Sequence, residues 1–310
     1  MKKVLVIGSS NRDLIVTVDD FPRPGETVMG NSFLQMMGGK GGNQAIAAKR
    51  AGADVLFISC IGEDENGMAI KKNYQSEGLD VSYMLLSEDK PTGVALITVD
   101  RNGENNIVTI AGANEDLLPE NLTTLDETIA QADILLMQME TPVLTNLEIS
   151  RKARDNNKKV VLNAAPAMAI PRELLELVDI LIVNETEAET ISGMKVGKSP
   201  ERVIRHLQGK GVEQVILTLG ENGLLYGTGA GETVHLPAYK VNPVDSTAAG
   251  DTFCGALAAA LSRKMEWEEA LRYSMAAAAI SVTRMGAQPS IPDRHQVEAF
   301  IAKNTLIENS

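Results

Sequence analysis

Cysteine and histidine are scarce in this chain, and their scarcity excludes several kinds of site. The 310 residues include 2 cysteines, Cys60 and Cys254, and 3 histidines, His206, His235 and His295. They are scattered along the sequence, so no spacing typical of a zinc site occurs. Both cysteines lie in apolar segments and are predicted to be buried thiols in a reducing compartment rather than a disulfide.

Aromatic residues and positive charge are also in short supply. Phe, Trp and Tyr make up 4% of the chain, which disfavours a stacking platform for single-stranded nucleic acid. The 29 Lys and Arg against 41 Asp and Glu give a net charge of −12, which would repel nucleic acid and anionic membranes. We therefore expect neither of them as a partner.

Long apolar runs are absent from the sequence as well. No stretch is long enough to span a bilayer, and the apolar run after Lys2 and Lys3 ends at Gly8 without a cleavage-like segment. The sequence therefore predicts a protein without a signal peptide, located in the cytoplasm. Its apolar content of 44% is sufficient for a large core.

Two familiar nucleotide-binding motifs are missing. Segment 38–44 holds four glycines around Lys40 but lacks the spacing of a Walker A loop. The glycines allow close backbone approach to a ligand that Lys40 could contact, with a flexible loop as the alternative that glycine content favours. Gly8 follows the first predicted strand, where a dinucleotide-binding protein carries G-x-G-x-x-G, yet the second and third glycines are absent, which disfavours a dehydrogenase. Asn11 and Asp13 instead offer an amide and a carboxylate that suit sugar hydroxyls, with ordinary turn residues as the alternative.

Apolar, β-branched runs alternate with helical patterns along the chain. The predicted strands are 4–7, 55–61, 134–137, 160–162, 180–183 and 215–217, and the predicted helices include 67–77, 144–156, 171–177, 200–210 and 255–261. This alternation predicts one α/β domain over 1–310, with a mostly parallel sheet covered by helices on both faces. Excursions at about 12–38 and 92–111 are predicted to pair into a small β-sheet lid over the strand ends, with two unrelated hairpins as the alternative.

The stretch 245–255 places Asp251 behind three small residues at the start of an apolar helix. The first N–H groups of a helix have no partner within it and carry partial positive charge, so such a terminus suits phosphate or a developing oxyanion. A carboxylate cannot itself hold that anion, which makes proton abstraction from a hydroxyl the chemical interpretation of Asp251. Capping of the helix by Asp251 is the alternative.

Segment 184–187 begins a predicted helix with an acidic first turn. Asn184 as a helix cap and Glu187 as a complement to the helix dipole are the structural interpretation. Segment 218–223 ends in Asn-Gly, which indicates a hairpin turn. The glycine-rich segment 227–231 lies between short strand-like runs and is predicted to be a turn.

Eight segments together resemble the ribokinase-like (PfkB) carbohydrate kinase family over the whole chain and in matching order. They are 8–13, 24–27, 38–44, 139–142, 184–187, 218–220, 245–255 and 286–290. The resemblance implies ATP-dependent phosphorylation of a sugar, with D-ribose as the expected substrate and D-ribose 5-phosphate as the product. Deoxyribose, fructose, a nucleoside such as adenosine, or a sugar phosphate remain alternatives within the family.

The resemblance also implies a role for each matching residue. Asp251 would be the general base, with an anion hole at Ala248, Ala249 and Gly250. The sugar would be bound by Asn11, Asp13, Gly39, Lys40, Gly41, Gly42, Asn43, Glu140 and Asp251. ATP would contact Asn184, Thr218, Leu219, Gly220, Glu221, Asn222, Gly223, Gly250 and Met275.

Two cations and a dimer complete these expectations. Glu187 would hold Mg²⁺ through water, since magnesium takes few protein carboxylates. K⁺ would be surrounded by Asp245, Thr247, Ser281, Arg284, Gly286 and Ser290. The lid would form the contact of a homodimer.

Arg12 departs from the family pattern and is the one candidate for binding a sugar phosphate. A non-catalytic sugar-binding protein is the alternative from another class, but it would not need the arrangement around Asp251.

Overall fold

The computed structural model describes residues 2–197, 199–228 and 231–304. The C-terminal segment 306–310, which the sequence predicts to fray, lies outside the described residues, as do residues 229 and 230 of the predicted turn. No helix in the described part of the chain is long and apolar enough to cross a membrane.

A large sheet forms the centre of the fold. Its strands in chain order are β1 (Lys3–Ile7), β4 (Asp54–Gly62), β5 (Met84–Ser87), β8 (Ile134–Met137), β9 (Lys159–Asn163), β10 (Ile180–Asn184), β11 (Gln214–Thr218), β12 (Leu224–Gly227) and β13 (Thr233–Leu236). Their order across the sheet is β13-β12-β11-β10-β9-β8-β1-β4-β5. All neighbours are parallel except the antiparallel pairs β11–β12 and β12–β13 at one edge.

Helices cover both faces of this sheet. They are α1 (Lys40–Arg50), α2 (Glu65–Ser76), α3 (Asp126–Gln131), α4 (Val143–Asp155), α5 (Arg172–Leu175), α6 (Glu185–Ser192), α7 (Pro200–Gln208), α8 (Ala249–Ser262), α9 (Trp267–Ser281) and α10 (Arg294–Lys303). Strand β1 shows how the core is divided, because Val4 and Val6 join one buried cluster while Leu5 and Ile7 join the other. Strands buried on both faces are continuously apolar, and the α/β fold predicted from that pattern is confirmed.

The two excursions pair into a second sheet, as their strand patterns predict. It contains β2 (Asn11–Thr17), β3 (Ser32–Gly38), β6 (Gly93–Val99) and β7 (Asn105–Ile110), in the order β3-β2-β6-β7. Strands β2 and β6 are parallel, so the excursions form one sheet rather than two unrelated hairpins. Its use as a lid stays a prediction.

Helix starts differ most from the sequence-based boundaries. Helix α1 begins at Lys40, so Gly41 and Gly42 are helical rather than part of a loop. Helix α8 begins at Ala249 rather than at 255. Helix α5 is shorter than predicted, at Arg172–Leu175. Position 41 requires glycine because the backbone of Gly8 lies close by, and a Cβ there would come within 2.4 Å of the Gly8 carbonyl carbon. Tertiary packing therefore places glycines where helix propensity disfavours them.

Candidate active site

The strand order reverses between β1 and β8: the chain adds β4 and β5 on one side of β1, and then β8 and the later strands on its other side. In parallel α/β sheets, ligands bind beyond the carboxyl ends of the strands at this kind of position. The loop after β1 carries Ser9 and leads into β2 at Asn11, and the loop after β8 carries Glu140. The first turns of α1 and α8 lie next to these loops.

Asp251 occupies the third position of α8 and does not cap it. The cap position is held by Ala248 in the left-handed conformation at φ 58°, without a side-chain cap. The Asp251 carboxylate instead accepts hydrogen bonds from Asn43 Nδ2 and Gln44 Nε2, both at 2.9 Å. The capping alternative is therefore wrong, and the carboxylate, in a side chain only 6% exposed, is held by two amides.

The first turn of α1 is tied to the loops after β1 and β8. The backbone N–H of Lys40 donates to Glu140 Oε2 at 3.0 Å, and that of Gly42 donates to the Ser9 carbonyl at 2.9 Å. Ser9 Oγ donates to the same Glu140 oxygen and accepts the Gly41 N–H at 3.3 Å. Gly39 precedes the helix at φ 87°, which favours glycine. The segment is therefore ordered by its neighbours and is not a flexible loop.

Asp13 and Lys40 carry unusual electrostatics. Burial, together with the nearby charges of Glu140 and Asp251, raises the pKa of Asp13 from 3.8 to about 7. Burial by itself lowers the pKa of Lys40. The carboxylates around its ammonium group, Asp251 first among them, outweigh burial and raise that pKa. The site thus holds one cation among several acids, and Asp13 changes its charge near neutral pH.

Several buried polar residues of this site were missed by sequence reasoning. Gln44 Nε2 also donates to Asn163 Oδ1 at 3.0 Å, and Gln138 Nε2 donates to Gln44 Oε1 at 2.8 Å. Asn114 Nδ2 donates to Asn11 Oδ1 at 2.8 Å. Their only sequence signal is a position just after a strand or inside a helix start. We call the set around Asp251 the central cluster: Ser9, Asn11, Asp13, Lys40, Asn43, Gln44, Glu140 and Asp251.

A second set of predicted residues lies further along the same sheet edge. Asn184 and Thr218 are direct neighbours in the β10–β11 register, and the loop 219–223 joins β11 to β12. Asn184 and residues 220–222 are exposed. We call Asn184, Glu187 and segment 218–223 the peripheral group. Met275 is separate from it, since its side chain is 8% exposed and belongs to the core beneath the sheet.

The helix-cap interpretation of Asn184 and Glu187 describes the structure well. Asn184 Oδ1 accepts the Glu187 N–H, and Glu187 Oε2 accepts the Asn184 N–H, each at 2.8 Å. This reciprocal pair is a capping box. Burial raises the pKa of Glu187, with Lys40 acting in the opposite direction. Glu187 is therefore a buried carboxylate within electrostatic reach of the central cluster.

The N-terminal end of α8 borders open space and has backbone N–H groups without partners in the described part of the chain. The Ala249 N–H donates to the Ser246 carbonyl at 3.2 Å, while no described hydrogen bond uses the N–H of Ala248 or Gly250. A Cβ added at Gly250 would meet nothing within 4 Å. A glycine without a steric reason in the protein itself is consistent with a ligand approaching at that point.

Asp245 holds together the two segments predicted to surround K⁺. Asp245 Oδ1 accepts the Thr247 N–H at 2.9 Å and Oδ2 accepts the Gly286 N–H at 2.8 Å. Burial opposes its charge, but these hydrogen bonds outweigh burial and lower the pKa of Asp245. Two other predicted K⁺ ligands have local hydrogen-bond partners and do not contact Asp245. The Ser281 carbonyl accepts the Arg284 N–H at 3.0 Å, and Ser290 Oγ donates to the Ala287 carbonyl at 2.7 Å.

Arg12 points away from the central cluster. Successive residues of a strand face opposite sides, so Arg12 lies on the face of the small sheet opposite Asn11 and Asp13. Its guanidinium donates to Gln35 Oε1 at 2.9 Å and to Met37 Sδ at 3.0 Å. The one Arg that could have bound a sugar phosphate is therefore not placed to do so.

No group of three or more His, Cys, Asp or Glu in the described ranges is arranged to hold a metal ion. A site of the predicted kinds does not require such a group, because backbone carbonyls and water are ligands for K⁺ and Mg²⁺ respectively.

Comparisons with known proteins identify the family of this chain. The model of the pfkB family carbohydrate kinases matches residues 1–294. A ribokinase from Haemophilus influenzae is 43% identical over 305 residues, covering 97% of this chain and 99% of the relative. Ribokinase from Thermotoga maritima superimposes with a TM-score of 0.90 at 40% identity, covering 97% of this chain and 100% of that one. The ribokinase of Arabidopsis thaliana, solved with ribose and ATP, gives a TM-score of 0.91 at 31% identity, covering 96% and 98%.

Proposed function

Because this chain belongs to the pfkB family of carbohydrate kinases, we propose that it transfers the γ-phosphoryl group of ATP to D-ribose, giving D-ribose 5-phosphate and ADP. The relatives named as ribokinases span nearly the whole chain, and one similar structure contains both ribose and ATP. The central cluster supports the same substrate, since it presents amides and carboxylates rather than the paired cations that a sugar phosphate requires.

The observation that carries the proposal is the placement of Asp251. Its carboxylate is buried beside the open start of α8 and is held by Asn43 and Gln44, so it does not cap the helix. In the proposed step the sugar hydroxyl oxygen attacks the γ-phosphorus and its proton passes to Asp251. The bond from that phosphorus to the β–γ bridging oxygen breaks, and ADP leaves with the electron pair.

The sugar is assigned to the central cluster together with Gly39, Gly41 and Gly42. Asn43 Oδ1 supports this assignment, because it is buried and has no hydrogen-bond partner within the described chain. A buried acceptor left unpaired costs about 1–3 kcal/mol, which a sugar hydroxyl would recover. Glu140 already accepts from Lys40 and Ser9, so its free lone pairs would receive a further hydroxyl.

ATP is assigned to the peripheral group, with Met275 beneath the adenine. Residues 220–222 of the loop are exposed and can be approached from solvent, and Asn184 lies beside Thr218 at the strand ends. The N–H groups at Ala248, Ala249 and Gly250 would stabilise charge on the transferring phosphoryl group. For Ala249 this requires release of its hydrogen bond to Ser246.

Glu187 suits a site for Mg²⁺. Its pKa is raised by burial, so a nearby cation would relieve the cost of its charge. Magnesium keeps most of its waters, so contact through water is sufficient. When bound, Mg²⁺ would neutralise negative charge on the phosphates of ATP.

The segments joined by Asp245 suit K⁺. Asp245 is held ionised by hydrogen bonds, and no described hydrogen bond uses the carbonyl of Thr247, Arg284 or Gly286. A weakly hydrated ion fits a cage of carbonyl oxygens. The Ser281 carbonyl and the Ser290 hydroxyl would complete the set. K⁺ would hold the 245–247 segment, which leads directly into α8.

The small sheet is assigned as a lid and as the contact of a homodimer. Its face opposite Asp13 exposes Phe33, Leu96, Val108 and Ile110, which form an apolar surface. Monomeric proteins rarely expose large contiguous apolar patches. A cytoplasmic location fits an enzyme that consumes ATP and keeps its two cysteines unpaired.

A substrate panel tests this proposal. ADP release is measured with ATP, Mg²⁺ and K⁺ for ribose, deoxyribose, fructose, adenosine and ribose 5-phosphate. We expect the highest kcat/KM for ribose. A higher kcat/KM for any other acceptor would overturn the choice of ribose, and the absence of ADP release with all of them would overturn the kinase assignment.

A further inference from the structure

Tyr74 is a buried side chain with an unusual set of polar neighbours. It lies in α2, is 0% exposed, and packs edge-on against Phe57 at 5.3 Å between ring centroids. Its hydroxyl shares a hydrogen bond with Ser10 Oγ at 3.0 Å, and Ser10 Oγ shares another with Ser59 Oγ at 2.7 Å. A phenol placed in a core needs such partners, since an unpaired buried hydroxyl is costly.

Ser10 connects this hydroxyl to Asn11, the first residue of β2. The Ser10 N–H donates to Asn114 Oδ1 at 2.9 Å, and Asn114 Nδ2 donates to Asn11 Oδ1 at 2.8 Å. Ser10 is thus fixed through its backbone by Asn114 and through its side chain by Tyr74 and Ser59. A change at the Tyr74 hydroxyl would reach Asn11 through the adjacent residue.

The same hydroxyl also lies against the first turn of α1. A Cβ added at Gly42 would come within 2.0 Å of the Tyr74 oxygen, so the phenol occupies the space that a side chain at 42 would need. The next residue, Asn43, donates to Asp251. Tyr74 therefore touches both structures that carry sugar-binding residues, namely the loop after β1 and the start of α1.

We propose that the Tyr74 hydroxyl is a positioning group for the sugar side of the active site, acting through Ser10 on Asn11 and through contact with Gly42 on Asn43. This inference rests on the proposed function, because it takes those residues to bind the sugar. Burial raises the pKa of Tyr74, so the hydroxyl stays protonated and able to donate. Tyr74 touches none of the peripheral group among its described contacts, although Gln288, between Gly286 and Ser290, also bonds to its hydroxyl. We therefore expect its main effect on the sugar.

Tyr74→Phe tests this role, with Tyr239→Phe as the matched control. Tyr239 is also buried and packs edge-on against Phe300, and none of its described contacts is with the central cluster or the peripheral group. We expect Tyr74→Phe to raise the sugar KM about threefold to tenfold while the ATP KM stays within about twofold, because misplaced binding groups weaken one substrate only. Tyr239→Phe should change neither value. Equal changes in both KM values for Tyr74→Phe would overturn the proposal.

Ser10→Ala completes the test and replaces it if Tyr74→Phe does not fold. Ser10→Ala should raise the sugar KM in the same way, and Tyr74→Phe should raise it less in the Ser10→Ala background than in the wild type, because the part of its effect that passes through Ser10 is already lost. Effects that simply multiply would contradict action through Ser10. The wild-type substrate panel is measured first and the KM values are taken with the best acceptor, so a wrong choice of sugar is distinguished from a wrong role for Tyr74.

Discussion

The central cluster and the peripheral group differ in how much of their hydrogen bonding the protein itself provides. In the central cluster, Asp251, Asn43 and Gln44 are at most 6% exposed, and both amides donate to the Asp251 carboxylate from more than 200 residues away in sequence. In the peripheral group the main side-chain contact is the local capping box of Asn184 and Glu187, and residues 220–222 are exposed.

This difference indicates which side of the site is built before its ligands arrive. Amides and carboxylates fixed by buried partners keep their positions without substrate, which lowers the entropic cost of binding. Exposed loops and free helix N–H groups bond to water instead, and exchange that water for ligand atoms when a nucleotide binds. We therefore expect sugar binding to depend on the fold and nucleotide binding to depend also on ions.

The largest effect is expected from Asp251→Asn. The amide keeps the size of the side chain and can still contact Asn43 or Gln44, but it cannot take a proton. We expect kcat to fall by about 10²–10⁴-fold, with both substrates still bound. Rate measurement together with titration of each substrate checks this. A variant with nearly normal kcat would show that Asp251 is not the general base.

Substitutions in the two regions should separate the two KM values. Glu140→Ala and Asp13→Ala each remove a charged hydrogen bond, worth about 1.5–3 kcal/mol, and should raise the sugar KM by roughly 10- to 100-fold with little change for ATP. Glu187→Gln should instead raise the ATP KM. Steady-state kinetics with each substrate varied in turn checks the separation. If Glu140→Ala raised the ATP KM most, our division of the site would be wrong.

Replacement of K⁺ should have a smaller effect. We expect a several-fold higher kcat/KM in K⁺ than in Na⁺ at matched ionic strength, because ordering of segment 245–247 aims the N–H groups at the start of α8. Asp245→Ala should reduce this difference, since Asp245 joins that segment to Gly286. Equal rates in K⁺, Na⁺ and a bulky organic cation would contradict the cation site.

The smallest effect is expected in the pH dependence of thermal stability, which the ionisation of Asp13 influences. Its pKa rises from 3.8 in the free side chain to about 7 in the fold, chiefly because of burial. The folded state therefore holds the proton more tightly, and stability is lost as pH rises through this window. Asp13→Asn removes the cost, so its Tm should exceed that of the wild type by several degrees more at about pH 8 than at about pH 5. A difference in Tm that does not change with pH would contradict the assigned pKa.

Local patterns in the sequence were enough to predict much of the fold and part of the site. The apolar strands and the cap at Asn184 depend on neighbouring residues, and both appear in the structure. The contacts of Gln44 and Gln138 could not be predicted, because they join residues 94 or more positions apart. The glycines at 41 and 42 suggested a loop, since their helical packing against Gly8 and Tyr74 is visible only in three dimensions.

Titration of the protein with ribose in the absence of nucleotide, followed by calorimetry, tests most directly whether the sugar side is already built. We expect ribose to bind without nucleotide, with a Kd that differs by no more than about twofold between K⁺ and Na⁺, because the central cluster is held by the protein's own hydrogen bonds. Binding of ribose that required ATP, or that required K⁺, would contradict this account.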